Sequence, residues 1–322
     1  MKLRLTTVCL MMFCLFATGC ASGVKLFGGP EALQEYKLQG EGDEKILVLP
    51  VTGVIDNKPD RGFFTDKPGL VQNVVSRLRL AEMDPDIKAV ILTIDSPGGS
   101  VTASDMLFNE IMRFKQRTGV RVVALQMDMA TSGGYYVSIA ADRILAHPST
   151  ITGSIGTIFL RPNVTGLMDK IGVEAIATKS GKFKDVGSPF RENSKEEEAI
   201  LENMVMTLNS RFVGLVSQRR GLQGKEASYT DARVMTASEA HSLGLVDRIG
   251  YFDEAVEEAA KLAGLKEATV VVYRREPFPN DTPYNTVSAQ AGTAPLVQVP
   301  LSQYLNVPDT GFYYLWAPEF AQ

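Results

Sequence analysis

Cysteine and histidine are scarce in this 322-residue chain, which contains three of the former and two of the latter. Cys9 and Cys14 lie in the apolar N-terminal segment, so a mature chain that begins at Cys20 keeps one thiol and cannot form an internal disulfide. His147 and His241 lie in contexts that do not suggest a general base, and pairing of His147 with a serine stays a minor alternative. A hydroxyl nucleophile in this chain therefore requires another base, and a lysine has to be considered.

An excess of basic charge is also missing. The chain has 33 lysines and arginines against 37 acidic residues, for a net charge of -4 at pH 7. Residues 1–19 contain Lys2 and Arg4 and no acidic residue, so their removal leaves 31 basic against 37 acidic side chains, or -6. This balance gives no indication of a nucleic-acid partner. With 45% hydrophobic and 22% charged residues, the composition is that of a globular protein with one large domain.

The N-terminus has the pattern of a secretory signal. Lys2 and Arg4 precede an apolar stretch at residues 5–17, which is too short to span a bilayer comfortably. Thr18-Gly19-Cys20 then resembles the bacterial lipobox, in which the signal is cut before the cysteine and the thiol is acylated. We expect a signal peptide at 1–19, a lipid on Cys20 that anchors the chain to a membrane, and a place in the bacterial cell envelope. Within the envelope, the lipid would hold the chain on the outer side of the cytoplasmic membrane or in the outer membrane. The alternative is a plain signal peptide followed by an incidental cysteine.

Apolar runs and helical patterns alternate between a polar tether at residues 20–44 and residue 273. Strands are predicted at 45–51, 89–95, 120–127, 143–146 and 269–273, and helices at 70–83, 102–115, 132–141, 195–219, 238–243 and 252–262. This order predicts an α/β domain with helices flanking a sheet. Residues 274–322 are typical of a flexible tail, but their aromatic end at 311–320 should not remain free in water. Docking on the body or on a neighbouring subunit, and insertion into a peptide groove, are the alternatives.

Ser132 is a candidate nucleophile because of the turn on which it lies. It follows a predicted strand and opens a predicted helix, with Gly133 and Gly134 directly after it. Such a turn exposes a hydroxyl, lets a substrate backbone approach closely and directs the positive end of a helix dipole at a developing alkoxide. A serine here is also a good helix cap, and the segment lacks the Gly-x-Ser-x-Gly pattern of the hydrolase elbow. The cap therefore stays the alternative.

Gly98 and Gly99 form a second turn between a predicted strand and a predicted helix. Backbone N–H groups at a helix start lack partners within the helix and can stabilise an oxyanion. An ordinary tight turn is the alternative.

Three lysines, Lys179, Lys182 and Lys184, lie near one another beside Asp185, where a solvated charge cluster is the ordinary interpretation. A free lysine has a pKa near about 10.4 and is protonated at neutral pH, so a lysine base must be desolvated. Phe183 offers an apolar wall. The residues alone do not choose among the three lysines.

Five segments of the chain, taken in order, resemble motifs of one known family. They are Asp95-Ser96-Pro97-Gly98-Gly99, Ala130-Thr131-Ser132-Gly133-Gly134-Tyr135-Tyr136, Thr152-Gly153-Ser154-Ile155-Gly156, Ser180-Gly181-Lys182-Phe183-Lys184-Asp185-Val186-Gly187-Ser188-Pro189, and Arg233-Val234-Met235-Thr236 through Ala240 to Gly244-Leu245-Val246-Asp247. On these segments, residues 45–273 resemble the signal peptide peptidase A, or protease IV, family of serine-lysine peptidases in its short single-unit form. Two departures are Ser100, in place of a third glycine, and Ala232, where a glycine often precedes Arg-Val.

The resemblance implies the Clp-crotonase fold, an α/β spiral of ββα units, and homo-oligomers whose active sites face an enclosed space. It implies that Ser132 is the nucleophile and Lys184 the general base, supplied by the same subunit or by a neighbour. It also implies that the Gly98 to Gly99 turn is the oxyanion hole and that Ser154 is an accessory hydroxyl that holds the lysine in place. This acyl transfer requires no metal and no organic cofactor.

The function implied by the resemblance is that of a membrane-anchored serine endopeptidase. Its expected substrates are hydrophobic peptides such as cleaved signal peptides. A crotonase-type acyl-CoA enzyme shares the fold and is one alternative. Two features disfavour it: export separates the protein from cytosolic CoA, and acyl-CoA chemistry would give Ser132 and Lys184 no role. A non-catalytic envelope scaffold that oligomerises through the same fold is the second alternative.

Overall fold

A nine-stranded sheet with helices on both faces organises the chain. The computed structural model describes residues 32–61, 66–275 and 310–316, together with residues 277, 281, 282, 284 and 318. The signal peptide predicted at 1–19 and the lipidation predicted at Cys20 lie outside these residues. All the described elements belong to one unit, Leu33–Gln322.

The strands and helices are numbered here along the chain. The strands are β1 (Gln34–Gln39), β2 (Lys45–Thr52), β3 (Asp60–Arg61), β4 (Asp66–Lys67), β5 (Ile87–Ser96), β6 (Gly98–Ser100), β7 (Arg121–Thr131), β8 (Arg143–Ala146), β9 (Ile151–Gly153), β10 (Ile158–Leu160), β11 (Val234–Thr236), β12 (Arg248–Ile249), β13 (Thr269–Arg274) and β14 (Gly311–Leu315). The helices are α1 (Leu70–Met83), α2 (Val101–Thr118), α3 (Gly133–Ser138), α4 (Thr165–Ile171), α5 (Lys195–Arg220), α6 (Ala237–Ser242) and α7 (Phe252–Ala263), with a 3-10 turn at Glu226–Ser228.

The main sheet has the order β1-β13-β2-β5-β7-β8-β12, and β9 pairs with both β7 and β11. Strands β13, β2, β5, β7, β8 and β12 are parallel to one another, whereas β1 is antiparallel to β13. The predicted α/β arrangement is therefore confirmed, and every strand and helix predicted between residues 45 and 273 is present, with ends that differ by a few residues.

Each central strand is buried on both faces, which explains why its sequence is a continuous apolar run. In β2, Leu47 and Leu49 pack into the cluster formed with α1, α2 and α3. Ile46 and Val48 point the other way and pack against Phe252, Ala255 and Ala259 of α7. The side-chain period of two thus lets each strand pack against helices on both sides of the sheet.

Helix starts follow the local sequence. Ser194 and Glu197 form the predicted capping box at the start of α5. Ser100, one of the two departures from the family motif, caps α2 by accepting a hydrogen bond from the Ala103 amide at 3.2 Å. A serine at this position therefore contributes to helix α2 instead of extending the glycine turn.

Two parts of the domain division differ from the sequence expectation. The segment predicted as a tether at 20–44 contains β1, which pairs with β13 because Tyr36 and Leu38 alternate with polar residues and partly cover the sheet edge. Within the predicted tail, β14 lies between β10 and β6 in a second, three-stranded sheet. The described part of the aromatic end, residues 310–316, is docked on the body, which is one of the alternatives given above.

Among the residues that the structure describes, no helix combines the length and the apolar character that crossing a membrane requires.

Candidate active site

Ser132 occupies a strained turn between β7 and α3. Its φ of 52° and ψ of -111° are rare for a residue with a side chain, and such conformations cost about 1–3 kcal/mol. Two backbone bonds hold it: the Ser132 amide donates to the Gly153 carbonyl, and the Tyr136 amide donates to the Ser132 carbonyl, both at 2.8 Å. The Ser132 side chain does not cap α3. The helix-cap alternative therefore does not explain this serine.

The Ser132 hydroxyl has little competition from the surrounding protein. Its hydrogen bond within the described residues is a long one of 3.5 Å to the Gly156 carbonyl. The residue is 1% exposed. A hydroxyl with one weak partner, at the start of a helix, is free to reorient toward a reacting group.

The two glycines of the first turn have different amide partners. The Gly98 amide donates to the Ser96 hydroxyl at 3.1 Å, and that hydroxyl donates to the Gly53 carbonyl. The Gly99 residue instead pairs with Tyr314 of β14. Gly98 and Gly99 are the two residues of the turn predicted as the oxyanion hole. Gly99 lies where β6 pairs with β14.

Gly98 brings the two turns together. A side chain on Gly98 would have its first carbon 2.7 Å from the Gly133 amide nitrogen and 2.0 Å from the Tyr314 carbonyl oxygen. Only glycine allows this approach, and its φ of 102° also favours glycine. The Gly133 amide, directly after Ser132, is therefore a third candidate oxyanion donor. Sequence reasoning missed this role, although an amide at the first position of a helix is a recognisable signal.

Ser154 lies beside Ser132 at the end of the neighbouring strand. It is 7% exposed and has a φ of 51°, and its amide donates to the Arg233 carbonyl at 2.8 Å. No hydrogen bond of the Ser154 hydroxyl occurs within the described part of the chain. The structure thus leaves this side chain available for an outside group.

The structure separates the three candidate lysines. The Lys179 ammonium pairs with Asp185 at 2.8 Å. The Lys182 ammonium pairs with Glu196 and lies 4.9 Å above the centre of the Phe183 ring. Lys184 is exposed, and over the ranges that the structure describes its ammonium forms no ion pair or hydrogen bond. Lys184 is thus the one of the three without a competing partner, and over the described residues no hydrogen bond joins it to Ser132.

An ion-pair network holds the backbone next to Lys184. Arg191 donates to both carboxylate oxygens of Asp185, at 2.6 and 2.8 Å, and to Glu197 at the start of α5. The hydrogen bonds from Arg191 and then Lys179 hold the pKa of Asp185 well below its usual range. Arg191, together with the Ser194 amide, lowers the pKa of Glu197 to about 2. The segment that carries Lys184 is therefore fixed to α5 even though the lysine itself is exposed.

Neither histidine reaches Ser132. The His147 Nδ1 is 2.8 Å from the Ser149 hydroxyl, and the ring packs edge-on against Tyr251. The His241 Nδ1 is 3.1 Å from the Val246 carbonyl. Both rings are engaged by local partners, and neither forms a hydrogen bond with Ser132.

Asp95 connects the two central strands just before the first turn. It accepts a hydrogen bond from the Met129 amide at 3.2 Å, where the pairing of β5 with β7 shifts register. Burial raises the pKa of this carboxyl. Asp95 thus positions the end of β7, and with it Ser132, without a direct part in proton transfer.

The chain is similar to several families and proteins that are already known. The sequence matches the profile of Peptidase family S49 over residues 114–266 and that of Clp protease over residues 67–150. A putative signal peptide peptidase from Enterococcus faecium is 33% identical over 78% of this chain and 73% of its own length. A putative protease from Methanocaldococcus jannaschii is 32% identical over 77% of this chain and 82% of its own. A putative protease from Synechocystis is 34% identical over 69% of this chain and 76% of its own length.

Among solved structures, a ClpP1 variant from Listeria monocytogenes aligns with a TM-score of 0.42 and 16% identity, over 65% of this chain and 94% of that chain. The Clp protease match runs from α1 to β8 and so includes β5, β7 and β8 of the parallel sheet and the Ser132 turn. The fold is accordingly the α/β ClpP/crotonase-like fold. The chain belongs to peptidase family S49, a family of serine peptidases.

Proposed function

We propose that this chain is an envelope endopeptidase in which Ser132 is the nucleophile and Lys184 the general base. The observation that carries the proposal is the Ser132 turn, where a strained serine with no capping role lies beside the Gly98 turn and the Gly133 amide. Strain of this kind persists where surrounding structure enforces it, and it clusters at functional sites.

The proposed reaction is acyl transfer to the serine. Neutral Lys184 takes the Ser132 proton as Oγ forms a bond to the substrate carbonyl carbon. The amides of Gly99 and Gly133 donate to the tetrahedral oxyanion, the peptide C–N bond breaks, and the lysine gives its proton to the leaving amine. Water then hydrolyses the acyl ester on Ser132. Ser154 is proposed to donate its hydroxyl to the lysine nitrogen and so to position it.

We propose further that Lys184 acts in a neighbouring subunit of a homo-oligomer. A lysine base needs an environment from which water is excluded, and the single chain leaves Lys184 exposed. The same region carries large apolar side chains in water: Leu167, Ile171, Val173 and Ile176 are between 52% and 84% exposed. A second copy that covers this surface would enclose the lysine and bury those side chains together.

The proposed substrates are hydrophobic peptides, including cleaved signal peptides, and the proposed place is the cell envelope with a lipid on Cys20. The name of the Enterococcus faecium relative, a putative signal peptide peptidase, supports the substrate class. The pattern of the N-terminal segment supports export and anchoring.

Mixed oligomers of two inactive chains test the shared dyad. Ser132→Ala and Lys184→Ala, each with its own affinity tag and without residues 1–20, are produced alone and together, and doubly tagged assemblies are purified. Each variant alone should lose about 1000-fold or more in hydrolysis of a hydrophobic peptide ester. If adjacent subunits share the dyad, the mixed assembly should recover about a quarter of the parent activity, because random neighbours complete one site in four. Mixed assemblies that stay inactive would show that serine and lysine act within one chain.

Lys182→Ala is the matched control for the base. It removes an ammonium two residues away that is occupied by Glu196. Activity within about threefold of the parent is expected, because an exposed ion pair contributes little. A Lys184→Ala assembly that remains fully active would overturn the assignment of the base.

A further inference from the structure

A surface cavity of about 520 Å³ lies between α5 and the loop that follows it. The α5 side chains that line it are spaced three or four residues apart and so share one face of the helix. The lining residues include Met206, Ser210, Val213 and Ser217 of α5, and Glu226 and Thr230 of the loop. Among the described residues that line the cavity, none is a proposed catalytic residue, so acyl transfer does not explain its chemistry.

One wall of the cavity is apolar. The Met206 side chain is 55% exposed, and Val213 and Gly214 lie about two turns farther along α5. A methionine side chain is flexible and polarizable, so it adapts to the shape of an alkyl chain. Gly214 has no side chain, and a carbon added there would meet no described atom within 4 Å beyond the local helix backbone. This wall therefore leaves room for an aliphatic chain to lie along the helix.

Two side chains at this cavity have oxygen atoms with unused hydrogen-bonding capacity. The Asn209 side-chain carbonyl oxygen is buried and accepts no hydrogen bond within the described part of the chain. The Tyr229 hydroxyl, on a fully buried ring, likewise has no partner among the described residues. Burial raises the pKa of Tyr229, and the charge of Glu226 adds to the shift, which places this hydroxyl close to the Glu226 carboxylate. A ligand that donates to these oxygens supplies hydrogen bonds that the protein alone leaves unmade.

Glu226 gives the cavity a negative charge. Its Oε1 accepts a hydrogen bond from the Ser217 hydroxyl at 2.7 Å and another from the Gly224 amide at 3.1 Å. The bond from Ser217, followed by those from backbone amides, holds the pKa of Glu226 below its usual value, so the carboxylate is ionised at neutral pH. Over the ranges that the structure describes, no cationic side chain pairs with Glu226 or lines the cavity. The carboxylate is therefore held in place by its own chain but lacks a counter-ion.

An aliphatic stem that ends in a cation matches both parts of the cavity. Lysine and arginine side chains have this form, since each combines an apolar stem with a head that donates several hydrogen bonds and accepts none. The stem can pack along Met206 and Val213, while the head donates to Asn209 and Glu226. An anion would be repelled by Glu226, and a purely apolar side chain would leave the oxygen atoms without donors.

Helix α5 separates this cavity from the Ser132 turn. On its other face, Phe212 packs against Tyr136, with ring centres 4.9 Å apart, and the Tyr136 amide donates to the Ser132 carbonyl. A helix with its side chains is about 10–12 Å across, so a path round α5 from Ser132 to the cavity is on the order of 20–30 Å long. About eight extended residues cover that distance. The apolar region of a signal peptide has about 7–15 residues and follows the basic ones, so its length fits this separation.

We infer that the cavity between α5 and the Glu226 loop is an accessory binding site for a lysine or arginine side chain of the peptide substrate, placed N-terminal to the apolar segment that reaches Ser132. This inference rests on the proposed function for the reaction at Ser132. It narrows the substrates from hydrophobic peptides in general to those with a basic N-terminal end. Because the contact is remote from the reacting bond and is the same before and during the reaction, it lowers KM and leaves kcat nearly unchanged.

Peptides that differ only in charge test the site with the detergent-solubilised full chain. Each has capped ends and an apolar segment of about 12 residues, preceded by two lysines or by two glutamines. The lysine peptide should have a KM about tenfold lower than the glutamine peptide, with kcat within about twofold. Moving the lysines to the C-terminal end should remove the advantage, and about 1 M salt should reduce it. Equal KM values for the lysine and glutamine peptides, or an advantage that does not depend on the end that carries the lysines, would overturn the inference.

Variants of the lining residues show whether the advantage arises at this cavity. Glu226→Gln keeps an acceptor for Ser217 and Gly224 but removes the charge, and it should raise the KM of the lysine peptide about tenfold. Asn209→Leu removes an oxygen that has no partner, so it should raise the same KM about fivefold without lowering stability in urea. The matched control is Glu267→Gln, which removes an exposed carboxylate from the loop before β13 and should keep the tenfold preference. A lysine preference that persists in both cavity variants would show that the cation binds elsewhere.

The inactive Ser132→Ala chain separates this inference from the function on which it rests. Calorimetric titration of that chain with the lysine peptide reports binding without reaction. Hydrolysis that depends on Ser132, with equal KM values for the lysine and glutamine peptides, would reject the accessory site and retain the peptidase. Binding of the lysine peptide that Glu226→Gln weakens, with hydrolysis unaffected by Ser132→Ala, would retain the accessory site and reject the nucleophile.

Discussion

Ser132 and Ser154 occupy equivalent positions on two neighbouring parallel strands. Thr131 of β7 is paired with Gly153 of β9, and each serine is the residue directly after the end of its strand. Both have left-handed backbone conformations, with φ of 52° and 51°. The amide of Ser132 donates to the carbonyl just before Ser154, so the two strained turns hold each other in place. The sheet thereby presents two hydroxyls at one edge, where a single lysine could contact both.

The strain at Ser132 predicts that a substitution which relieves it will make the chain more stable but inactive. Ser132→Gly should increase the free energy of unfolding by about 1 kcal/mol, because glycine adopts positive φ without steric penalty and the gain exceeds its extra chain entropy. Peptide hydrolysis should be lost. Ser132→Ala should also be inactive but no more stable than the parent, since alanine keeps the strain. Urea unfolding of the three chains is the measurement, and equal stability of the glycine and alanine variants would contradict the prediction.

Ala232 is the matched control, because it also has a positive φ but is not a proposed catalytic residue. Its φ is 60°, at the position where a glycine often occurs in the family motif. Ala232→Gly should therefore also stabilise the chain by about 0.5–1 kcal/mol, while hydrolysis stays within about twofold of the parent. A gain in stability at Ala232 but not at Ser132 would show that the Ser132 turn is supported by contacts that the serine side chain makes.

Ser154 is predicted to position the base. The residue is 7% exposed and its hydroxyl has no hydrogen-bond partner in the described residues, and in the proposed mechanism it donates to the neutral lysine. Ser154→Ala should lower kcat by about 10 to 100-fold with little change in KM. The pH profile of kcat/KM should move to higher pH, because a hydrogen bond donated to the neutral amine favours that form. A loss of activity with an unchanged pH profile would indicate a structural role only.

The network at Arg191 predicts how acid affects the segment that carries Lys184. Contact with Arg191 lowers the pKa of Glu197 from an ordinary 4.5 to about 2, so the stabilisation is complete above pH 4.5 and is lost as the pH falls toward 2. Arg191→Met should be less stable than the parent in urea at pH 7, and the difference should shrink between pH 4.5 and 2. Arg248→Met, whose contact with Glu257 is 3.9 Å long, is the control and should differ little from the parent at any pH. If Arg191→Met were less stable than the parent by the same amount at every pH, the proposed contribution of the Arg191–Glu197 ion pair would be contradicted.

The sequence predicted the central fold because local pattern and burial coincide there. Residues 89–95 form an apolar run that only a doubly covered strand accommodates, and β5 lies at that position. Ser194 and Glu197 formed their capping box as predicted, because that motif depends on residues three positions apart. The strand β1 was missed because its alternation rests on two partly buried side chains, Tyr36 and Leu38, at the edge of the sheet.

The site was only partly accessible from sequence because it depends on contacts between distant segments. The φ of Ser132 is imposed by β9, and no local pattern announces it. Lys184 is exposed and Tyr314 is buried because of tertiary packing, which the local sequence does not reveal. Aromatic content did predict that the end of the chain is docked, but the two strand edges that receive it are 58 residues apart and give no joint signal.

The lipid proposed on Cys20 has a quantitative test in the mature protein. Cleavage after Gly19 removes Cys9 and Cys14, so Cys20 is the one cysteine that remains. Acylation of that thiol leaves no free thiol, whereas a plain signal peptide cut at the same bond leaves one. Membrane-extracted protein, denatured and titrated with a thiol reagent, should therefore give about zero thiols per chain, and its mass should exceed that of residues 20–322 by several acyl groups. Cys20→Ser should move the protein from the membrane fraction to the soluble one while peptide ester hydrolysis persists, because the catalytic residues lie far along the chain. One reactive thiol per chain at the unmodified mass would mean that the chain is exported without a lipid anchor.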